Sequence, residues 1–376
     1  MKKLFSLPTL YVLLWALYFT QGTVIPRGGI ISLVVLGSFL LISGYFLYIA
    51  NAKFRLNPYF KALNVFLLMF TVYGIHTLLI RDTNGLNYLK AIYLSLLPTY
   101  TFYVLKLKGK IDENWIRTVF FVMAGVVIVQ YMATRLILIE TYGDAETRTI
   151  NVGYELLSLL PLLWYFKNKP VVQYVLWAVI MALVLTTVKR GAIIIGALCT
   201  VYFIYHSLRN STRKTRWYVW ILVLLFFVIG IRYVANFYAN SEYAQSRMEL
   251  TMQGYSSNRD VLYAKAWNVY INSNIMGLLF GHGTLSTMRL LGNAAHNDWL
   301  ELLVNQGLLG AVLYLYYWLA FFKVYKRGGY PETKRILGML LIIYFMSTLF
   351  SMSYISMTLP SNLALGYCLA KREVAE

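Results

Sequence analysis

Acidic side chains are scarce in this chain: 15 Asp and Glu stand against 34 Lys and Arg in 376 residues, and charged residues of both signs make up only 13%. Soluble domains carry about a quarter charged residues. That shortage, together with 59% hydrophobic residues and a mean hydropathy of +0.59, excludes an ordinary soluble fold. Cysteine is also scarce. Cys199 and Cys368 both fall inside apolar runs, which excludes a disulfide framework or a cysteine metal site and leaves core packing as their role. The chain has no repeat of fixed period and no low-complexity tract. Its Met-Lys-Lys start leads into an apolar run without a small-x-small cleavage site, so the first segment reads as a retained span rather than a signal peptide.

Long apolar runs dominate what is present. A membrane-crossing helix needs roughly 20 mostly apolar residues, and about twelve segments approach that pattern. They are 7–23, 30–49, 60–80, 89–105, 119–139, 152–166, 171–188, 192–206, 218–235, 298–322, 336–350 and 355–370. The expected fold is a single all-α polytopic membrane domain spanning 1–376. The net charge of +19 would point to nucleic acid in a soluble protein; here the placement of each charge decides. Assigning alternate loops to one side gathers 22 of the 34 basic residues there, from Lys2 and Lys3 to Lys371 and Arg372. By the positive-inside rule that side is cytoplasmic, which puts both termini there and makes the span count even. No nucleic-acid partner is expected.

One polar stretch of roughly 60 residues, 236–295, separates two apolar segments and falls on the outer side. Within it Ser257-Asn258-Arg259-Asp260 has the form of a capping box. An amphipathic helix should follow through Leu262, Ala266, Trp267 and Tyr270, suited to the membrane interface. The loop is expected to form an ordered cap, with His282 in a glycine-rich turn.

The loop ends in Ala295-His296-Asn297-Asp298-Trp299-Leu300-Glu301, which runs directly into the apolar segment to Phe322. Polar groups at the mouth of an apolar helix are costly and mark function. An imidazole with an ordinary pKa of about 6.5 can accept a proton from an attacking hydroxyl. An interfacial anchor explains His296 equally well. Asp298 is a first-turn acid that complements the helix dipole; Asp298, Glu301 and Asn305 form one polar stripe, and Gly307 and Gly310 suit close helix packing. Lys189 and Arg190 sit between two apolar segments with almost no loop to solvate them, and snorkelling is their bland reading. Arg259 and Arg289 lie on the same outer side, with Arg81, Arg135, Arg148 and Arg247 as further cations there. Guanidinium groups grip phosphate oxygens in bidentate fashion. Asp144 and Glu146 form a weak candidate for a divalent ion, and solvated loop acids explain them better; no metal or cofactor is expected.

The ordered set of pieces from Val188 to Tyr314 resembles the O-antigen ligase and Wzy-type O-antigen polymerase superfamily of bacterial membrane glycosyltransferases. Lys189-Arg190-Gly191-Ala192 resembles its Ser-Arg-Gly segment, Arg259 with Leu262 and Tyr263 its loop arginine, and Gly281-His282-Gly283 its glycine turn. His296-Asn297 with Leu300, Glu301, Gly307 and Gly310 resembles its His-Asn signature. The resemblance implies a fold of the glycosyltransferase C class and metal-independent transfer of glycan from undecaprenyl pyrophosphate at the periplasmic face of the inner membrane. It makes His296 the catalytic base and Arg190 and Arg259 the donor pyrophosphate ligands. Lys189, Arg289, Asn297, Asp298 and Glu301 would support them. Lys189 departs from the family's serine.

Three functions remain open at this point. The leading one is a polymerase that joins repeat units carried on two lipid-linked oligosaccharides, with the bilayer and a chain-length regulator as partners. A ligase delivering finished glycan to lipid A core uses the same chemistry. A lipid-linked oligosaccharide flippase would also want cations in a cavity, but transporters carry internal repeats and paired broken helices, and neither is expected here.

Overall fold

Proline and short polar caps set where the helices begin. The computed structural model describes residues 6–25, 28–142, 152–209, 259–327 and 329–373, with isolated positions between 210 and 258. The helices are α1 (Leu7–Phe19), α2 (Gly29–Lys53), α3 (Pro58–Leu79), α4 (Thr83–Leu96), α5 (Pro98–Leu107), α6 (Glu113–Tyr142), α7 (Gly153–Leu157), α8 (Pro170–Thr186) and α9 (Arg190–Arg209). After the largely undescribed stretch follow α10 (Arg259–Ile271), α11 (Ile275–Phe280), α12 (Ser286–Leu291), α13 (Asp298–Lys326), α14 (Pro331–Phe350), α15 (Ser353–Ser356) and α16 (Leu359–Glu373). Proline opens α1, α3, α5, α8 and α14, where its missing N–H costs nothing. Asn57, Asp82, Asn274 and Asn297 accept hydrogen bonds from first-turn amides, satisfying donors that the helix leaves orphaned.

Among the described residues there is no strand, and six helices are long and apolar enough to cross a membrane: α2, α3, Glu113–Leu138 of α6, α9, α13 and α14. The chain is an all-α membrane protein. Six is fewer than the twelve segments expected, for physical reasons that differ along the chain. Helices α1 and α8 are apolar but short. Pro98 divides 89–105 into α4 and α5. Segment 152–166 is five residues of α7 followed by a 3-10 turn, Leu160–Phe166, with Pro161 near its start. Segment 218–235 lies, isolated positions apart, outside the described residues.

A further departure concerns α13, expected as one uninterrupted span. Gly307 sits at φ 66°, ψ −160° and breaks it. The carbonyls of Val304 and Asn305, freed from the helical ladder, accept from the amides of His282 and Gly283, each at 2.9 Å. Gly307 packs back to back with Gly281: a Cβ on Gly307 would stand 2.5 Å from the Gly281 nitrogen. Gly307 therefore serves a left-handed turn that only glycine enters without strain. The expectation of no broken helices is corrected by this site and by the α7 segment.

The core is aromatic. Phe66 of α3 stacks on Tyr314 and Tyr317 of α13 at 5.3 and 5.8 Å between ring centroids, and Tyr59 bonds Tyr317 through their hydroxyls at 3.0 Å. Helix α16 lies against α5 so closely that a Cβ on Gly366 would meet the Thr99 carbonyl at 2.5 Å. Asn362 locks that contact by accepting from the Thr99 hydroxyl, and ties α16 to α4 by donating to the Ser95 carbonyl at 2.9 Å. Cys199 and Cys368 are both free and buried, as expected of packing residues.

Candidate functional site

The bundle brings the N-termini of α7, α9, α10 and α13 and the C-terminus of α14 to one end. Glycine makes this possible at two points. Any side chain at Gly191 would collide with the Tyr154 hydroxyl and come within 3.3 Å of Phe350, and a Cβ at Gly153 would stand 3.0 Å from that of Ala192. The Arg-Gly-Ala run is thus the point where α9 enters between α7 and α14. Tyr263 of α10 donates to the Leu349 carbonyl at 3.1 Å and reaches the His296 carbonyl at 3.5 Å. Ala266 packs against Ala295 and Val304. A helix does run through Leu262, Ala266, Trp267 and Tyr270, with Trp267 exposed; Ser257, its expected cap, lies outside the described residues.

His296 is half-buried at this junction and adopts φ 53°, in the left-handed region. Burial is the main reason its pKa is lowered from 6.5; the positive charges of Arg259 and then Lys189 lower it further. Each disfavours the imidazolium, so the ring is neutral at neutral pH. Asn297 stands in extended backbone and accepts from the amides of Trp299 and Leu300, at 3.0 and 3.2 Å. Val188, immediately before the cationic pair, also has a left-handed φ of 52°. A β-branched residue is a clear outlier there, and such strain collects at functional sites.

The expected residues divide into those that converge on the imidazole and those that do not. Arg259 and Lys189 act on it directly; Arg190 follows Lys189 as the first residue of α9. Lys189 therefore adds a charge to the histidine's surroundings. Arg289 stands elsewhere, exposed and donating to the His282 carbonyl at 3.0 Å, and His282 occupies a turn whose ring bonds Ser273. Asp144, Glu146, Arg148 and Arg247 lie outside the described residues.

Asp298, Glu301 and Asn305 form the polar stripe that their spacing predicts, and it is turned inward, with Asn305 donating to Glu301 at 3.2 Å. Asp298 and Glu301 are fully buried and tie different segments to the start of α13. Asp298 accepts from the Ser353 amide and hydroxyl and from the Tyr314 hydroxyl. Glu301 accepts from the Thr287 hydroxyl, from the Ala295 amide at 2.8 Å and from Asn305 at 3.2 Å. The Ala295 bond holds the residue just before the histidine. Asp298 is thus an enclosed acceptor rather than a solvated dipole partner.

Two residues of the site were missed in the sequence, Tyr154 and Glu155. A carboxylate inside the apolar segment 152–166 was the available signal. Tyr154 lies in the field of Arg259, and Glu155 in that of Lys189. The assembled group offers a neutral base, two or more cations and a hydroxyl-lined wall; it suits proton removal next to an anion. The chain matches no protein-family model and no curated protein.

Proposed function

We propose that this protein is a membrane glycosyltransferase that moves glycan from a lipid pyrophosphate to a hydroxyl of a second lipid-linked repeat unit, as an O-antigen or related polysaccharide polymerase. The observation that carries the reading is His296, kept neutral beside Arg259 and Lys189. In the proposed step the imidazole takes the acceptor's hydroxyl proton as the oxygen forms a bond to the anomeric carbon. The bond from that carbon to the pyrophosphate breaks, and its electrons leave on phosphate. Positive charge then appears on the imidazole as negative charge appears on the leaving group. Arg190, Arg259 and Lys189 neutralise the phosphates, and the phosphates in turn offset the cost of an imidazolium beside cations. Asn297, Asp298 and Glu301 hold the loop, and Arg289 supports it at the His282 turn.

The same reading assigns the protein to the bacterial inner membrane with this end facing the periplasm and both termini cytoplasmic. Twelve crossings follow if the short and broken segments also traverse the bilayer, in a glycosyltransferase C-like arrangement. The ligase reading shares every residue and differs in acceptor: a knockout that leaves core capped by one repeat unit supports the polymerase, and bare core with accumulated lipid-linked polymer supports the ligase. Broken helices at Gly307 and after Leu157 favour a second reading, a flippase for lipid-linked oligosaccharide. Purified protein in liposomes given undecaprenyl-pyrophosphate-linked repeat units decides. Glycosidic bond formation lost in His296→Ala, at unchanged protein level, is expected; movement of the units without bond formation overturns the enzyme reading. Turnover should survive a chelator, since cationic side chains neutralise the leaving group; inhibition reversed by a divalent ion would bring Asp144 and Glu146 back.

A further inference from the structure

Beside Glu155 of α7 lies a cavity of about 600 Å³ lined by Tyr18, Gln21, Ser32, Gln130, Thr134 and Glu155, with Lys90 at its wall. A second cavity of about 230 Å³ shares Tyr18, Phe19 and Glu155 with it and extends to Ser356 and Thr358. Glu155 is the common member. Its Oε2 is buried and has no hydrogen-bond partner among the described residues. Leaving a buried carboxylate oxygen unmatched is expensive. Such an atom in a cavity wall marks a place for a donor from outside the chain.

The wall is built to hold neutral polar groups. Ser32 donates to the Gln21 carboxamide oxygen at 2.6 Å, and Thr23 donates to that of Gln130, so both amides are fixed in orientation. Lys90 is anchored on Asn87 at 2.8 Å. The cavity thus combines one acidic acceptor, amide and hydroxyl groups, one cation and the aromatic faces of Tyr18 and Phe19. Opposite charges are balanced, which fits a neutral ligand better than an anion. Hydroxyl-rich rings with apolar C–H faces match this mixture of planar hydrogen-bonding groups and aromatic surface. The cavity is also coupled to the histidine: Lys189 acts on both Glu155 and His296.

We propose that this cavity is a saccharide subsite in which Glu155 accepts from sugar hydroxyls, placing a lipid-linked glycan one helix away from the cationic site. The proposal rests on the glycosyl-transfer reading. The test uses full-length protein in lipid nanodiscs and, as probe, the repeat-unit oligosaccharide freed from its carrier by mild acid, with binding followed by ligand-observed NMR. Wild-type protein should bind the free oligosaccharide. Glu155→Gln and Gln130→Leu should each weaken it about tenfold, while Arg259→Ala leaves it within twofold and instead weakens binding of undecaprenyl pyrophosphate. Gln130→Leu at the half-buried wall covers the case in which a change at Glu155 prevents folding. No binding by folded wild-type protein overturns the subsite, as does binding by both wall variants as tight as that of wild type. So does a Glu155→Gln defect confined to undecaprenyl pyrophosphate, which would make Glu155 a positioning residue for Lys189. Saccharide binding sensitive to Glu155 in a protein that forms no glycosidic bond would retain the subsite and remove the transferase.

Discussion

Helix α14 joins two ends of the molecule that treat charge in opposite ways. At its first turn, Glu332 accepts from Lys167 at 2.7 Å and lies 3.6 Å from Lys371, which also bonds Glu113 at 2.7 Å; Arg117 completes the group. Two acids and three cations from α6, α14, α16 and the start of α8's approach close on one another. At its last turn, some 30 Å away for a helix of this length, Tyr263 fastens α10 to Leu349. There the cations Arg259 and Lys189 bear on an imidazole, and no ion pair to Arg259 is seen among the described residues. Matched charge ties helices together; a guanidinium with no ion pair among the described residues, beside a neutral imidazole, suits an anion that arrives from outside.

The widest separation between the two ends should come from removing one guanidinium at each. Arg259→Ala is expected to lower kcat/KM for lipid-linked repeat units by about 10²–10³-fold, the range for losing one preorganised donor to developing charge. Arg117→Ala should stay within about twofold. Steady-state turnover on the purified proteins checks both, and equal losses would dissolve the distinction. Stability should respond in a different place. Gly307→Ala forces a Cβ to within 2.5 Å of the Gly281 nitrogen and 2.6 Å of the Leu279 carbonyl carbon, in left-handed backbone, a cost of about 3 kcal/mol. A lower thermal midpoint in detergent is the readout; an unchanged midpoint would mean that the break in α13 is not required.

Much of this was legible before any coordinates. Apolar run length marks the helical membrane class, because a crossing helix must keep apolar side chains in the bilayer core along its whole length. His296 and Arg259 stand out through polarity where apolar residues are the rule. What escaped depends on contacts far apart in sequence. A glycine in an apolar run reads as close packing; that Gly307 instead breaks the helix is decided by Gly281, which lies 26 positions away. Asp298 looks like any first-turn acid until Ser353 and Tyr314 are brought to it. Lys189 yielded to Arg190 in the sequence because a guanidinium is the better phosphate ligand, whereas the fold turns the lysine's field toward the imidazole.

Glu332→Gln probes the closed end more gently. Glu332 is 8% exposed, but its partner Lys167 is 43% exposed, so solvent screens much of the pair and about 1 kcal/mol of stability should be lost. Thermal unfolding should register a small drop while turnover is kept; loss of turnover would connect the two ends and undo their separation.

The smallest effect expected is also the one most particular to the open end. In the proposed step His296 acts in its neutral form, whose fraction rises with pH through the imidazole pKa. Because that pKa is lowered from 6.5, the acid limb of kcat should fall below pH 6.5. Lys189→Gln removes a charge that opposes protonation, so the imidazole becomes easier to protonate and the limb moves to higher pH. Arg259→Gln should move it further, as the stronger of the two charges, and neither should bring it fully back, since burial is the larger cause and persists in both variants. Raising salt should mimic the shift weakly, because a half-buried group is only partly screened. A limb that stays in place in both variants would separate the cations from the base and leave them with phosphate binding alone.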